Sequence, residues 1–255
     1  MNSPSAISLQ PGLLRMPAGL GENDPRAVLP METLVRRVAD RWDATGISWV
    51  VLRHAAGLPE FTRYDLDILV APEQARKAVA ILEECVVATG WQIAGRICKY
   101  HYQCLLLKTG GDGSRLFFLP VDVFSALQYR GLRYLDAHAV LRRRVKTFKG
   151  IWCLPPGVEA AISWLKEVLP HGKLKDNSRE TVRAQWEQDA AGFGETIAAA
   201  AGAEWAERFA HMLRREEWSL GAREAGDLFS TVSSYGCDTS TAVAHSSLNL
   251  AMAKS

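Results

Sequence analysis

Residues 64–70 have the sequence Tyr-Asp-Leu-Asp-Ile-Leu-Val, a short apolar run interrupted by aspartates at positions 65 and 67. Alternate residues of a β-strand point to the same side, so Asp65 and Asp67 are expected to project together. Two like charges at that spacing repel each other unless a cation lies between them. The apolar neighbours predict a buried strand. Exposure to solvent is therefore a poor explanation for the two aspartates.

A third aspartate interrupts another predicted strand. Asp122 stands in Leu-Pro-Val-Asp-Val-Phe, residues 119–124. A buried carboxylate without a partner is costly, so Asp122 needs a counter-charge or a metal. If its strand lies beside the first one, the three carboxylates share a face and offer the hard oxygen ligands that Mg²⁺ and Mn²⁺ prefer. A bare Asp-x-Asp also occurs on solvated edge strands, and it is the isolated Asp122 that favours a metal site.

The order of elements predicts an α/β (α+β) fold. Apolar periodicity and turn residues predict a first half of two helices and five strands, over residues 31–44 (helix), 47–53, 64–70, 72–90 (helix), 91–98, 100–108 and 115–123. Gly110 to Gly113 predict a hairpin between the last two strands. Helices are predicted afterwards, over about 134–144, 157–169, 178–189, 193–212 and 216–229. We therefore expect a small mixed sheet that carries the three aspartates, with helices packed on one face and a C-terminal helical domain.

The predicted domains follow from these elements. Residues 29–154 form the α/β domain and residues 155–235 the helical domain, with the Pro-Pro-Gly at 155–157 as a hinge. Residues 1–28 lack periodicity and are expected to be poorly ordered, and residues 236–255 are expected to form a flexible tail.

Composition excludes several classes of protein. A net charge of +2 over 255 residues gives no overall case for a nucleic-acid partner, and the apolar runs are too short for a membrane span. The five cysteines are scattered, without metal-binding spacing, and the first residues lack the pattern of a secretory signal. We therefore expect a reduced, cytoplasmic protein.

Residues 49–70 and 119–135, with the predicted helix between them, resemble the nucleotidyltransferase (polymerase β-like) superfamily. More narrowly, they are similar to small bacterial nucleotidyltransferase-like proteins, some of which are associated with polysaccharide or other surface-glycan pathways. The resemblance covers roughly residues 31–150. It implies that Asp65 and Asp67 are the metal-binding Asp-x-Asp of the family and that Asp122 is its third carboxylate. It also implies Mg²⁺ or Mn²⁺ as cofactor, a nucleoside triphosphate such as ATP as co-substrate, and a small-molecule, sugar or protein acceptor.

The superfamily places a Gly-Ser pair ahead of the Asp-x-Asp strand to hold the nucleotide phosphates, and this chain has Arg-His-Ala-Ala-Gly at 53–57 instead. The candidate nucleotide-binding residues are therefore Arg53, Gly57, Lys99 and Arg130, with Arg53 as a charged phosphate contact. His54 and His101 are candidate general bases, although a carboxylate can also serve.

Three alternatives stay open at this stage. The missing Gly-Ser pair favours a catalytically inactive protein of the same fold that binds a nucleotide, a phosphorylated sugar or a protein partner. Glycosyltransferases also use an Asp-x-Asp, but behind a longer nucleotide-binding half than this chain has. The basic residues between Arg142 and Lys149 allow nucleic-acid binding, although a solvated helix face explains them better.

Overall fold

The computed structural model describes residues 25–60, 62, 65–98, 101–109 and 116–236. The predicted hairpin at 110–113 and the predicted flexible tail from 237 onward lie outside the described residues, as do residues 1–24 of the segment expected to be poorly ordered. In the part of the chain that is described, no helix combines the length and the apolar character needed to cross a membrane.

The described residues form nine strands and eight helices. The strands are β1 (Trp49–Val51), β2 (Leu66–Val70), β3 (Gln92–Cys98), β4 (Tyr102–Thr109), β5 (Leu116–Phe124), β6 (Leu127–Tyr129), β7 (Leu132–Leu135), β8 (Val145–Lys146) and β9 (Trp152–Cys153). The helices are α1 (Pro25–Ala44), α2 (Ala75–Ala88), α3 (Ala137–Arg142), α4 (Pro156–His171), α5 (Asp176–Gln188), α6 (Ala190–Ala201), α7 (Ala203–Arg214) and α8 (Ala222–Gly236).

Seven strands form one mixed sheet in the order β3-β4-β5-β2-β1-β9-β8. The pairs β2/β5 and β1/β9 are parallel, and the other neighbours are antiparallel. The predicted fold class is therefore confirmed, as a mixed sheet followed by a helical region. The antiparallel pairing of β4 with β5 is also as predicted.

Helices cover both faces of the sheet near its centre, where packing on one face was predicted. Leu66, Ile68 and Val70 of β2 pack with α1 and α2 in one apolar core. Val50 and Leu69, on the opposite side of β1 and β2, pack with α4 and the later helices in a second core. The expectation was wrong because these central strands are apolar on both sides, which requires two covering layers.

Several predicted boundaries differ from the structure. Helix α1 begins at Pro25, six residues before its predicted start at Met31, so residues 25–28 are helical although they were assigned to the poorly ordered segment. The predicted helix over 193–212 is two helices, because Gly202 has a φ of 89°, a conformation that interrupts α-helical geometry. The β6–β7 hairpin was not predicted.

Candidate functional site

The sheet places two of the three predicted aspartates side by side. Strands β2 and β5 are parallel neighbours, and Asp67 is the register partner of Asp122. Both side chains point away from α1 and α2, because the alternate residues Leu66 and Val121 fill the core on that side. Asp67 is only 1% exposed and Asp122 only 6%, so two carboxylates are buried next to each other.

Asp67 is held by two basic side chains. Arg53 follows the end of β1 and donates from Nε to Asp67 Oδ2 at 2.7 Å, and its Nη2 contacts the same oxygen. The amine of Lys166 in α4 lies 3.4 Å from Oδ1 and 3.3 Å from Oδ2. The predicted phosphate contact Arg53 is thus present at the carboxylates, with its charge directed at Asp67.

Lys166 was not identified from the sequence. It lies on a helix that is buried almost all round, where a lysine is unusual without a counter-charge. Burial lowers the pKa of the Lys166 amine, while the carboxylate of Asp67 opposes that effect. Charged residues inside a largely apolar helix, Lys166 with Glu159 and Glu167, are the signal that could have indicated it.

Asp122 has a different environment from Asp67. Its Oδ2 lies 3.5 Å from Nε2 of His101, and its buried Oδ1 has no hydrogen-bond partner among the described residues. The His101 ring stacks on Phe124 with 4.3 Å between ring centroids, and the Lys166 amine lies 5.4 Å from the centre of the same Phe124 ring. A buried carboxylate oxygen without a donor is costly, so Asp122 is open to a ligand that supplies positive charge.

Asp65 lies immediately before β2, and not within the strand as predicted. It is the exposed member of the cluster. Partial removal from water raises the pKa of Asp65, and the negative charges of Asp122 and Asp67 act in the same direction. The opposing effects of Lys166 and Arg53 are smaller. The three aspartates therefore influence one another electrostatically, although only two of them are buried.

Helix α4 also fixes the segment that carries Arg53. Glu159 accepts the backbone N–H of His54 at 2.8 Å, and His54 has the uncommon φ of 60°. Burial raises the pKa of the Glu159 carboxyl, and the hydrogen bonds from His54 and Gln185 oppose that effect. Glu159 and Lys166 are seven residues apart and lie on one face of the helix, so a single face of α4 positions both Arg53 and Asp67.

Of the other predicted nucleotide-binding residues, Gly57 and Arg130 lie within the described part of the chain, and neither has a described contact with the aspartates. Gly57 ends a short 3-10 turn and has no described contact with the aspartates. Arg130 occupies the exposed turn between β6 and β7, with a φ of 50° and its guanidinium 5.3 Å from the centre of the Tyr129 ring. Lys99 lies outside the described residues.

Two of the three carboxylates fit a divalent cation. Asp122 has a buried oxygen without a partner, and Asp65 is held among like charges that a cation would relieve. Asp67 does not fit in the same way, because Arg53 and Lys166 already occupy its oxygens. The described residues contain no group of three His, Cys, Asp or Glu side chains that could hold a metal ion.

Comparison with known proteins gives one similar solved structure. It is the solution structure of the antibiotic-resistance factor ANT(2'')-Ia, which is similar to this chain with a TM-score of 0.38 and 15% sequence identity, over 72% of this chain and 95% of that chain. Neither a family model nor a curated protein matches. A TM-score of 0.38 is below the level at which two chains demonstrably share a fold.

Proposed function

We propose that this chain is a metal-dependent nucleotidyltransferase, which transfers a nucleoside monophosphate from a nucleoside triphosphate to a small-molecule, sugar or protein acceptor. The observation that supports this proposal best is the pairing of Asp67 with Asp122 on neighbouring parallel strands, with Asp65 in the same electrostatic cluster. That arrangement is what the resemblance to polymerase β-like proteins implies for an Asp-x-Asp and a third carboxylate.

Asp65 and Asp122 are the residues that would hold the divalent cation. Their carboxylates are hard oxygen donors of the type that Mg²⁺ and Mn²⁺ prefer. A bound cation of this kind neutralises charge on a transferred phosphoryl group and favours attack by an acceptor hydroxyl. Arg53 and Lys166 lie beside these carboxylates and supply positive charge for the phosphates.

Calorimetry with the four common nucleoside triphosphates tests the proposal. Titrations with and without Mn²⁺ should be carried out on the native protein and on Asp122→Asn. A matched control is Asp40→Asn, because Asp40 is an exposed aspartate on α1, on the other side of the sheet. We expect Mn²⁺-dependent binding in the native protein and the control, and a loss of at least about tenfold in affinity in Asp122→Asn.

The proposal is contradicted if Asp122→Asn binds nucleotide with native affinity and native dependence on Mn²⁺. Circular dichroism of the variant separates loss of the site from loss of the fold. A positive result would justify a search for acceptors by release of pyrophosphate.

A second function is favoured by the ion pairs of Asp67. Because Arg53 and Lys166 neutralise this carboxylate, and because the Gly-Ser pair is missing, the same site suits an inactive protein that binds a nucleotide or a phosphorylated sugar. That function predicts that neutralising Asp122 leaves ligand binding intact or tightens it, since repulsion between the carboxylate and the phosphates is removed. Binding that depends strictly on the metal would count against it.

A further inference from the structure

The carboxylate cluster has a basic side and an acidic side. On the basic side, both oxygens of Asp67 are within reach of the Lys166 amine, and Arg53 contacts Oδ2 through two nitrogens. On the acidic side, Asp122 Oδ1 has no hydrogen-bond partner among the described residues, and Asp65 directly precedes β2, two residues before Asp67, the register partner of Asp122. A cation entering the cluster therefore meets an oxygen of Asp122 that has no partner among the described residues, but it would have to displace two cationic side chains at Asp67.

The exposure of the side chains also separates Asp67 from the two basic residues that contact it. The Asp67 side chain is 1% exposed, whereas those of Arg53 and Lys166 are 17% and 37% exposed. Solvent, or a ligand, can reach the two cations but not the carboxylate behind them. Asp67 is thus placed as a counter-ion that fixes the position of the two basic side chains.

The two basic side chains come from different parts of the chain. Arg53 follows β1, and its segment is held by the hydrogen bond from His54 to Glu159, whereas Lys166 lies on α4. An arginine supplies paired donors that match phosphate oxygens, and a lysine supplies a compact positive charge. Together they have the chemistry to hold a chain of phosphates at the junction of the sheet and the helical region.

We propose that Asp67 is not a metal ligand but the anchor of a phosphate-binding pair formed by Arg53 and Lys166, so that the chain takes a single divalent cation, at Asp65 and Asp122. The class of ligand, a nucleoside triphosphate, rests on the proposed function. The phosphate-binding pair itself requires only a polyphosphate and no metal.

The first test is binding of inorganic tripolyphosphate in excess EDTA, measured by calorimetry. The native protein should bind, and Lys166→Met and Arg53→Met should each bind at least about tenfold more weakly, as expected for loss of a charge-assisted contact. Lys77→Met is the matched control, because Lys77 is an exposed lysine on α2 whose amine contacts the carbonyl oxygen of Thr45. No binding by the native protein in EDTA, or native affinity in both site variants, would overturn the proposal.

The second test counts metal ions by electron paramagnetic resonance of free Mn²⁺. We expect one Mn²⁺ per chain, lost in Asp122→Asn and kept in Asp67→Asn with affinity reduced by less than about tenfold, because Asp67 contributes its negative charge to the cluster but no ligand. Two ions per native chain, or loss of Mn²⁺ in Asp67→Asn as complete as in Asp122→Asn, would overturn the proposal. If Asp67→Asn fails to fold, the tripolyphosphate titrations of Lys166→Met and Arg53→Met decide the question alone.

The two tests also separate this proposal from the proposed function. Metal-dependent nucleotide binding without any tripolyphosphate binding in EDTA would contradict the phosphate-binding pair and still support the transferase. Tripolyphosphate binding in EDTA that is lost in Lys166→Met, with no effect of Mn²⁺ on nucleotide binding, would support the phosphate-binding pair and contradict the metal-dependent transferase.

Discussion

Asp122 and Glu159 are both buried carboxylates, and they differ in whether their oxygens have hydrogen-bond partners. Glu159 accepts a hydrogen bond from the backbone of His54 and another from Gln185. Asp122 leaves one buried oxygen without a partner among the described residues. A satisfied buried carboxylate is typical of a structural role, whereas an unsatisfied one is a cost that stability alone does not explain.

Asp122→Asn should therefore leave the unliganded protein as stable as the native protein or stabilise it, by up to about 1 kcal/mol, because it removes a buried charge and relieves the repulsion on Asp65. Urea unfolding without metal or nucleotide measures this difference. A loss of more than about 1 kcal/mol would show that Asp122 contributes to the fold and would weaken its assignment to the site.

Glu159→Gln should change stability in a pH-dependent way. Burial raises the pKa of Glu159 above its ordinary value, so the protonated form stabilises the folded state. That contribution is fully present below the pKa of the unfolded chain and is lost as pH rises through the pKa of the folded protein. The neutral amide avoids this loss and keeps an acceptor oxygen for the N–H of His54.

We accordingly expect Glu159→Gln to be more stable than the native protein at pH 7, by about 1 kcal/mol, with the difference shrinking as the pH is lowered toward 4. Urea unfolding at both pH values tests this expectation. Glu159→Ala is the contrasting variant, and it should be destabilised by about 1–3 kcal/mol because the N–H of His54 loses its acceptor. A difference between native and Gln variant that grows at low pH would contradict the account.

At the scale of elements, helix α4 is the part of the chain on which the site most depends, and its start is tightly packed. A Cβ added at Gly157 would lie 2.0 Å from the carbonyl oxygen of Asp189 and 2.6 Å from the backbone nitrogen of Phe193. Asp189 also caps α6 by accepting the N–H of Gly192 at 2.9 Å. The beginnings of α4 and α6 therefore approach each other through backbone atoms that cannot easily move.

Gly157→Ala should consequently destabilise the protein by about 1–3 kcal/mol, through forced displacement of α4 from α6. Gly194→Ala is the control, since Gly194 lies within α6 with nothing within 4 Å of its added Cβ. Alanine should stabilise that helix by up to about 1 kcal/mol. Thermal unfolding of the two variants tests the contrast, and equal effects would show that the close approach at Gly157 is not limiting.

The elements that were predicted and those that were missed differ in their sequence signals. Strand β2 has buried apolar residues on both sides of Asp67, and most residues of α4 are apolar, so both elements were predicted. The β6–β7 hairpin turns at Arg130 and Gly131, with φ values of 50° and 84°. An arginine is rare in that conformation, so the usual asparagine-glycine or aspartate-glycine signal for such a turn is absent.

At the scale of the whole molecule, the second of the two cores is shared between the sheet and the helical region. Val50, Leu52, Leu69 and Ala71, all from the sheet side, pack with the helices that follow residue 155. The site is divided in the same way, since Asp67 lies on the sheet and Lys166 on α4, 99 residues apart in the chain. Asp67 and Asp122 stand out in the sequence because each interrupts an apolar strand, whereas the pairing with Lys166 depends on tertiary packing that no local pattern contains.

A chain that ends at residue 154 should therefore not fold, because removing α4 to α8 exposes one side of β1 and β2. We expect such a fragment to lack a cooperative unfolding transition and near-ultraviolet circular dichroism. A chain that ends at residue 236 is the control and should retain both, since it keeps every described residue of the two cores. Cooperative unfolding of the shorter fragment would show that the α/β part is an independent domain.

The central claim is that Asp65 and Asp122 hold a divalent cation beside a bound nucleotide. Anomalous scattering from crystals grown with Mn²⁺ and a non-hydrolysable nucleoside triphosphate analogue tests it most directly. The account predicts one Mn²⁺ peak, about 2 Å from carboxylate oxygens of Asp65 and Asp122, with phosphates against Arg53 and Lys166. A nucleotide bound with no Mn²⁺ at these two aspartates, or a Mn²⁺ bound at a different part of the chain, would contradict it.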